Sequence, residues 1–244
     1  MPFSPHFNDF GQPMGFPVPN WHGATFPPRE EMRGRFCHLA PLQTEKHARD
    51  LWESFELDTE NQTWTYLYHG PFEAFEGLEQ WIEFTIHRTD AIPFAIVDAT
   101  TLKAIGIAMY LRIDSNAGSI EVGNLHFSPL LQRTPAATEA MFLMMERAFA
   151  SGYRRYEWKC NALNAPSRRA ALRLGFSFEG IFRQAAVVKG CNRDTAWFSV
   201  LDEEWPMLKK GFEKWLSSDN FEADGRQKLS LEACREAVLA QTNR

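Results

Sequence analysis

The apolar positions divide the chain into three regimes. Residues 1–34 carry Phe3, Phe7, Phe10, Phe16, Trp21 and Phe26 among prolines and glycines. Proline fixes φ and donates no hydrogen bond, so this stretch reads as an extended arm, too apolar for a free linker, that wraps over the domain or over a second subunit. From Gly34 the pattern turns regular. It predicts a short strand near 35–39, a helix over 43–55 with Thr44 as its N-cap, and a second helix over about 73–87. PFAIVDAT, KAIGIAMYLRI and SIEVGNLHF follow as three strands of an antiparallel meander, rich in β-branched and aromatic residues and separated by turn residues.

A helix over 136–150 comes next, with Met141, Met144, Met145, Ala148 and Phe149 on one face as core. YRRYEWKCNAL reads as a strand, 166–174 as a short helix closed by Gly175, and 176–188 and 193–201 as two more strands. Beyond about 203, Trp205, Leu208, Phe212, Trp215 and Leu216 recur at helical spacing. The expected organisation is an arm (1–34), an α/β domain (35–202) and a helical extension (203–244).

Composition narrows the class of function. A 44% hydrophobic fraction over 244 residues is ample for a core. The 26 basic and 31 acidic residues are interspersed and sum to −5, which gives no nucleic-acid or membrane-surface footprint. Four cysteines, Cys37, Cys160, Cys191 and Cys234, stand far apart with no Cys-x-x-Cys pair, and so read as reduced thiols, with no metal site. With no leader pattern and no apolar run of about 18 residues, the expectation is a soluble cytoplasmic protein.

Two segments carry candidate chemistry. In LHFSPLLQRTPAATEA a strand ends and a helix opens, with Thr134 as N-cap and Pro135 at the first helical position. The amides of Ala136, Ala137 and Thr138 then point out of a helix start, an arrangement that attracts phosphate. Further on, WKCNALNAPSRRAALRLGFSFEG stops a strand at Asn161–Asn164 and gives way to a short helix bearing Ser167, Arg168 and Arg169.

Together these segments resemble the GNAT superfamily of acyl-CoA N-acyltransferases, and within it the RimJ/RimL-like branch, over about 34–201. Leu125, Phe127, Pro129, Gln132 and Ala137 fill the family's Leu-x-Val-x-Pro-x-x-Gln-x-x-Gly-x-Gly/Ala pattern, with Pro135 in place of the first glycine. Asn164, Ser167, Ala171, Leu174, Gly175, Phe176, Glu179 and Gly180 match its Asn-x-x-Ser…Leu-Gly-Phe…Glu-Gly signature. The resemblance implies a mixed, mostly antiparallel sheet of six to seven strands, two of which part in a V that holds the pantetheine arm of acetyl-CoA.

It further implies that the amides of Ala136, Ala137 and Thr138 hold the pyrophosphate, with Gln132 and Arg133 nearby, that Asn164 bonds the cofactor, and that Ser167 is the general acid at the departing thiolate. Arg168 and Arg169 either flank the 3′-phosphate end or form a solvated helix face. Glu121 is the first candidate for the base that takes the amine proton, with Glu157 and His126 in reserve, and strand amides near Leu125 and Phe127 are the oxyanion donors. Asn164 and Ser167 also read as plain helix-start residues, Glu121 as a solvent-facing strand residue, and Cys160 as a buried thiol. Trp64, Tyr66 and Tyr68 read either as packing or as a wall for the acceptor, which is a small amine or a protein N-terminus. A homodimer is a further expectation, and a non-catalytic acyl-CoA binder is the competing class.

Overall fold

The apolar runs at 91–98 and 104–110 are buried almost throughout in the computed structural model, which describes residues 5–242. Strands covered by helices on both faces need such runs. Phe3 of the arm and the last two residues of the extension lie outside the described residues. In chain order the elements are β1 (His6–Phe7), β2 (Pro13–Met14), β3 (Met32–Arg33), β4 (Cys37–Pro41), α1 (Thr44–Phe55), α2 (Phe75–Ile86), β5 (Ala91–Asp98), β6 (Ala104–Asp114), β7 (Ser119–Phe127) and α3 (Pro135–Ala150). There follow β8 (Arg155–Asn161), α4 (Ala165–Leu174), β9 (Ser177–Val188), β10 (Cys191–Leu201), α5 (Trp205–Leu216) and α6 (Leu231–Thr242).

One eight-stranded sheet runs β3-β4-β5-β6-β7-β8-β10-β9, antiparallel except where β7 meets β8. The fold is therefore mixed α/β, and the arm's Met32–Arg33 contributes one strand beyond the expected six or seven. Residues of β5 alternate between two cores. Ile92, Phe94 and Ile96 face α3, whereas Ala95 and Val97 join Leu51, Phe55, Leu78 and Ile82 of α1 and α2. The extension packs on the outer side of α3, where Phe149 stacks on Trp205 at 5.0 Å and Phe142 meets Phe212 at 5.4 Å.

Between Trp21 and Gly34 the arm crosses the domain under hydrogen bonds. Trp21 Nε1 donates to Asn116 O at 2.7 Å, Ala24 N to Ser115 O at 2.8 Å, and the Arg147 guanidinium to the carbonyls of Pro28, Glu30 and Glu31. The arm is locked down by Glu139. This buried carboxylate accepts the N–H groups of Arg35 (2.8 Å), Phe36 (2.6 Å) and Cys37 (2.9 Å), and a Cβ on Gly34 would lie 2.3 Å from its Cδ. The cap of α1 differs from expectation. Gln43 holds the cap position and its N–H bonds His47 Nδ1 at 3.0 Å, while the Thr44 hydroxyl donates to Glu83 at 2.8 Å.

The core under α1 and α2 contains His126, stacked on Phe55 at 3.7 Å and set against Trp64. Thr63 donates its hydroxyl hydrogen to Asp58 at 2.7 Å and so accepts from His126 Nε2 at 3.0 Å. Burial lowers His126 to about 3 and His69 to about 4, which keeps both rings neutral at ordinary pH.

Two outcomes follow for stability. Glu139→Gln and Gly34→Ala each lower the unfolding free energy in urea by about 2–4 kcal/mol, because charge-assisted hydrogen bonds are worth roughly 1.5–3 kcal/mol each. Their double variant costs less than the sum, since both displace one carboxylate. For the two histidines the folded pKa lies below the unfolded one, so the unfolded chain binds more protons between about pH 6.5 and 3. Stability falls as pH drops through that window, and His126→Gln, which keeps a polar partner for Thr63, makes the fall measurably shallower in urea midpoints taken from pH 7 to 4.

Candidate active site

Pairing between β7 and β8 lasts only from Ser119 opposite Arg155 to Val122 opposite Trp158. Beyond that point β7 stays with β6 and β8 stays with β10, so the two strands part. The cause is local to β7. Its register against β6 shifts between the pairs Ile107–His126 and Met109–Gly123, and Asn124 sits at φ 51, a bulge that turns the strand away from its parallel neighbour.

A cavity of about 580 Å³ opens at the parting. Leu125, Asn164, Ser167, Glu121, Tyr66 and Tyr68 all line it, so the structure brings these six candidates together. Trp64 is the exception among the aromatic candidates. It is 5% exposed and packs its ring against Phe55 (5.6 Å) and Phe72 (5.5 Å), so it belongs to the core and does not form a wall of the cavity.

At the apex a row of charges crosses the sheet face that bears the cavity. The Arg155 guanidinium holds Glu179 with two hydrogen bonds and donates Nε to Glu157 at 2.7 Å. Lys159, with its side chain 3% exposed, reaches Glu157 at 2.7 Å and Glu121 at 3.1 Å, and Arg112 Nε reaches Glu121 at 2.6 Å. Three acids alternate with three bases, so the row is neutral. Burial raises the Glu157 carboxyl, but hydrogen bonds and charges from Lys159 and Arg155 outweigh it and hold the group below the usual carboxylate range.

Both cations on Glu121 bind Oε2. Oε1 instead points at Gly123, where a Cβ would come within 2.9 Å of it. Of the three candidate bases only Glu121 lines the cavity. Glu157 lies behind Lys159, and His126 is a neutral core residue.

On the opposite wall α4 begins with Asn164, whose Oδ1 accepts Ser167 N–H at 3.1 Å. Ser167 Oγ accepts Trp158 Nε1–H at 3.0 Å, which leaves the hydroxyl hydrogen to be given elsewhere. Cys160 also lines the cavity, but burial pushes its thiol up against weaker opposing contributions from Ser167 and Arg193, so it is a poor nucleophile.

The start of α3 lies outside this cavity, beyond the end of β7. Thr134 caps it as expected, and the cap takes one amide: Ala137 N–H bonds Thr134 Oγ1 at 3.3 Å. The Thr138 amide is also not free, since it is the first that the N-cap carbonyl of Thr134 accepts inside the helix, and its Oγ1 accepts from Arg173 at 3.0 Å. Ala136, with no i−4 partner inside the helix, keeps its N–H, and Gln132 and Arg133 are exposed beside it. Gln132 Nε2 donates to Phe127 O at 2.8 Å, and Phe127 itself pairs with Gly106 on β6. Arg168 donates to Ala162 O at 3.2 Å and lies over the Phe178 ring, which directs it toward the β8–α4 loop and β9. Small residues at the helix start and an unpaired strand edge leading from the cavity fit an extended, phosphate-ended ligand such as acetyl-CoA, with fewer free amides than the sequence suggests.

Lys159, Arg112, Arg193 and Trp197 were not anticipated. Arg155, Glu157 and Lys159 alternate in sign every second residue, a signal for a polar strand face that was present in the sequence. Among the described residues no group of three or more His, Cys, Asp or Glu is placed to hold a metal, and no helix is long and apolar enough to cross a membrane.

Residues 38–177 match the acetyltransferase (GNAT) domain profile. A GCN5-related N-acetyltransferase from Brucella melitensis is similar over 90% of this chain and 100% of its own, at 44% identity and TM-score 0.88. A probable GNAT-family acetyltransferase from Chromobacterium violaceum ATCC 12472 is similar over 80% of this chain and 98% of its own, at 39% identity and TM-score 0.75. The microcin C7 self-immunity acetyltransferase MccE, in complex with acetyl-CoA and AMP, shares the fold at 21% identity and TM-score 0.61, over 69% of this chain and 93% of its own. No curated protein shows significant sequence similarity. With the profile covering more than half of the chain and a 44% identical structure covering nine-tenths of it, the protein belongs to the GNAT family of acetyltransferases.

Proposed function

We propose that the protein moves an acetyl group from acetyl-CoA to a small primary amine by direct attack, with no acyl-enzyme. The reading rests above all on the parting of β7 and β8, which sets Glu121 on one wall of a single cavity and Ser167 on the other. When bound, acetyl-CoA supplies a thioester carbonyl activated toward amines. The chain's own groups supply the rest.

Glu121 Oε1 accepts the hydrogen of the incoming amine, which needs a free lone pair to attack. Strand amides near Leu125 and Phe127, beside the unpaired edge of β7, are aimed where negative charge develops on the carbonyl oxygen. The Ser167 hydroxyl, oriented by Trp158, provides a proton for the leaving sulfur. Asn164 borders the same wall, and the Ala136 amide with the α3 dipole favours a phosphate at the far end.

The motif residues support placement in the RimJ/RimL-like branch, and the division into arm (1–34), catalytic domain (35–202) and extension (203–244) accompanies this reading. The four free cysteines, three of them buried, suit a reducing compartment such as the cytoplasm. A second reading, a non-catalytic acyl-CoA binder, draws on Pro135 and the capped Ala137 amide, which thin the donors around a pyrophosphate.

Isothermal titration with acetyl-CoA, followed by thiol release over a panel of amines, separates the two. Binding with amine-dependent release is the expected result, and binding without release across the panel favours the second reading. Ser167→Ala lowers kcat by about 10²-fold or more, in the range of general acid catalysis, and leaves the acetyl-CoA Kd within about twofold. Ala137→Glu does the reverse, weakening binding at least about tenfold through charge repulsion at the helix start. Glu121→Gln reduces the rate most at low pH, where neutral amine is scarcest; a pH profile with the wild-type shape removes Glu121 as the base.

A further inference from the structure

Among the cations that line the cavity, Arg88 is bonded twice by Asp90, and Arg112 and Lys159 share Glu121. Arg193 differs. It is only 7% exposed, lines the cavity, and makes no ion pair with any described carboxylate. Its Nη1 donates to Tyr66 O at 3.2 Å, its guanidinium lies 4.5 Å from the centroid of the Tyr68 ring, and its Nε is buried with no partner.

A guanidinium removed from water without a counter-charge is costly, and the cost persists only where something offsets it. Tyr66 O occupies one nitrogen and fixes the plane. Nε and Nη2 form an edge of two parallel donors whose spacing matches the two oxygens of a carboxylate, and because Nε is buried, a carboxylate reaches it as the exposed Tyr68 ring beside it shifts.

The position of Arg193 relates this edge to the chemistry. Thr195 and Trp197 follow it on the same face of β10 and also line the cavity. Trp197 pairs with Lys159, one residue past the last β7–β8 pair, so it marks the level of the apex. Four residue steps separate Arg193 from that level, roughly 13 Å of backbone, and two more, to about 20 Å, reach Ser199, which is level with Glu121 through Glu157. Arg193 and Glu121 both line the cavity that runs between these levels, and its length suits a small molecule with a charged group at each end.

We infer that the acceptor carries a carboxylate as well as its amine, and that Arg193 binds the carboxylate while the amine reaches Glu121. This rests on the acetyl-transfer reading and narrows its acceptor to a small amino acid. Arg193 is a specificity residue and takes no part in proton transfer.

The test is a binding measurement on the full chain with coenzyme A present, so that it does not depend on turnover. The probes are the twenty protein amino acids, 4-aminobutyrate and 6-aminohexanoate, each compared with its primary amide, and phosphoethanolamine compared with ethanolamine, by saturation-transfer NMR and titration. At least one acid binds wild type tenfold or more tightly than its amide. Arg193→Gln removes that difference, and Arg193→Lys, which keeps the charge but not the fork, retains only part of it, while the Kd for coenzyme A stays within twofold in both.

No acid distinguished from its amide, or a distinction that survives Arg193→Gln, overturns the inference. So does discrimination confined to phosphoethanolamine over ethanolamine, which points to phosphate instead. Should Arg193→Gln fail to fold, Arg193→Lys carries the test, and an undiminished preference in it overturns the bidentate assignment. Failure of acetyl-CoA to bind wild type sinks the transfer reading separately, because acid against amide is still read in the same samples.

Discussion

Everything the site can do depends on β7 and β8 separating after a four-residue parallel pairing. Two strands that part inside a sheet leave backbone donors and acceptors without ladder partners, and such groups need water or a ligand to satisfy them. The bulge at Gly123–His126 opens the gap, and the Glu121–Lys159 ion pair spans it at its origin, tying the two strands where their hydrogen bonds end. Gly123 is part of the same device. A side chain there would meet both Glu121 Oε1 and Leu111 Cδ1 at 2.9 Å, so the residue that starts the bulge also makes room for the carboxylate.

The alternating charges on β8 explain how a polar face survives in the middle of a sheet. A single buried ion would be prohibitive, yet Glu179, Arg155, Glu157, Lys159, Glu121 and Arg112 each face an opposite charge, and Ser199 donates a further hydrogen bond to Glu179 at 2.7 Å. Removing one member of such a row strands its neighbour, which is why a change at Glu121 has to be read from a pH profile as well as from a rate. The Glu179 of the Glu-Gly signature is explained by this row, since its carboxylate anchors Arg155 at a distance from the cavity.

Much of the fold was legible because its elements announce themselves locally. The meander strands, the Thr134 cap with Pro135 behind it, and Gly175 at φ 98 after α4 are decided by near neighbours in sequence. What was not legible depends on partners far away. Thr44 looked like a cap until Glu83 claimed its hydroxyl, Trp64 read equally as packing or as a wall until the core under α1 and α2 enclosed it, and the Ala137 amide looked free until Thr134 took it. Glu139 could be read only as one polar position in the helix over 136–150. Its work, gathering three amides from residues about 100 positions earlier, has no local signature.

The two faces of the sheet account for where chemistry and selectivity separate. α3 packs against β7 and β8 and α4 against β8 and β9, whereas α1 and α2 pack against β6 and β5, and the segment around 62–70 roofs the cavity beside β10. That roof is held by a few hydrogen bonds to backbone carbonyls: Lys189 to Trp64 O at 2.8 Å, Arg193 to Tyr66 O at 3.2 Å, and Tyr66 OH to Leu163 O at 3.3 Å. Such ties fix the course of the loop without constraining the side chains that face the cavity. The proposed catalytic groups thus sit on a strand and a helix start that the core holds rigid, and the proposed acceptor surface is one whose residues can change without disturbing the parting of β7 and β8.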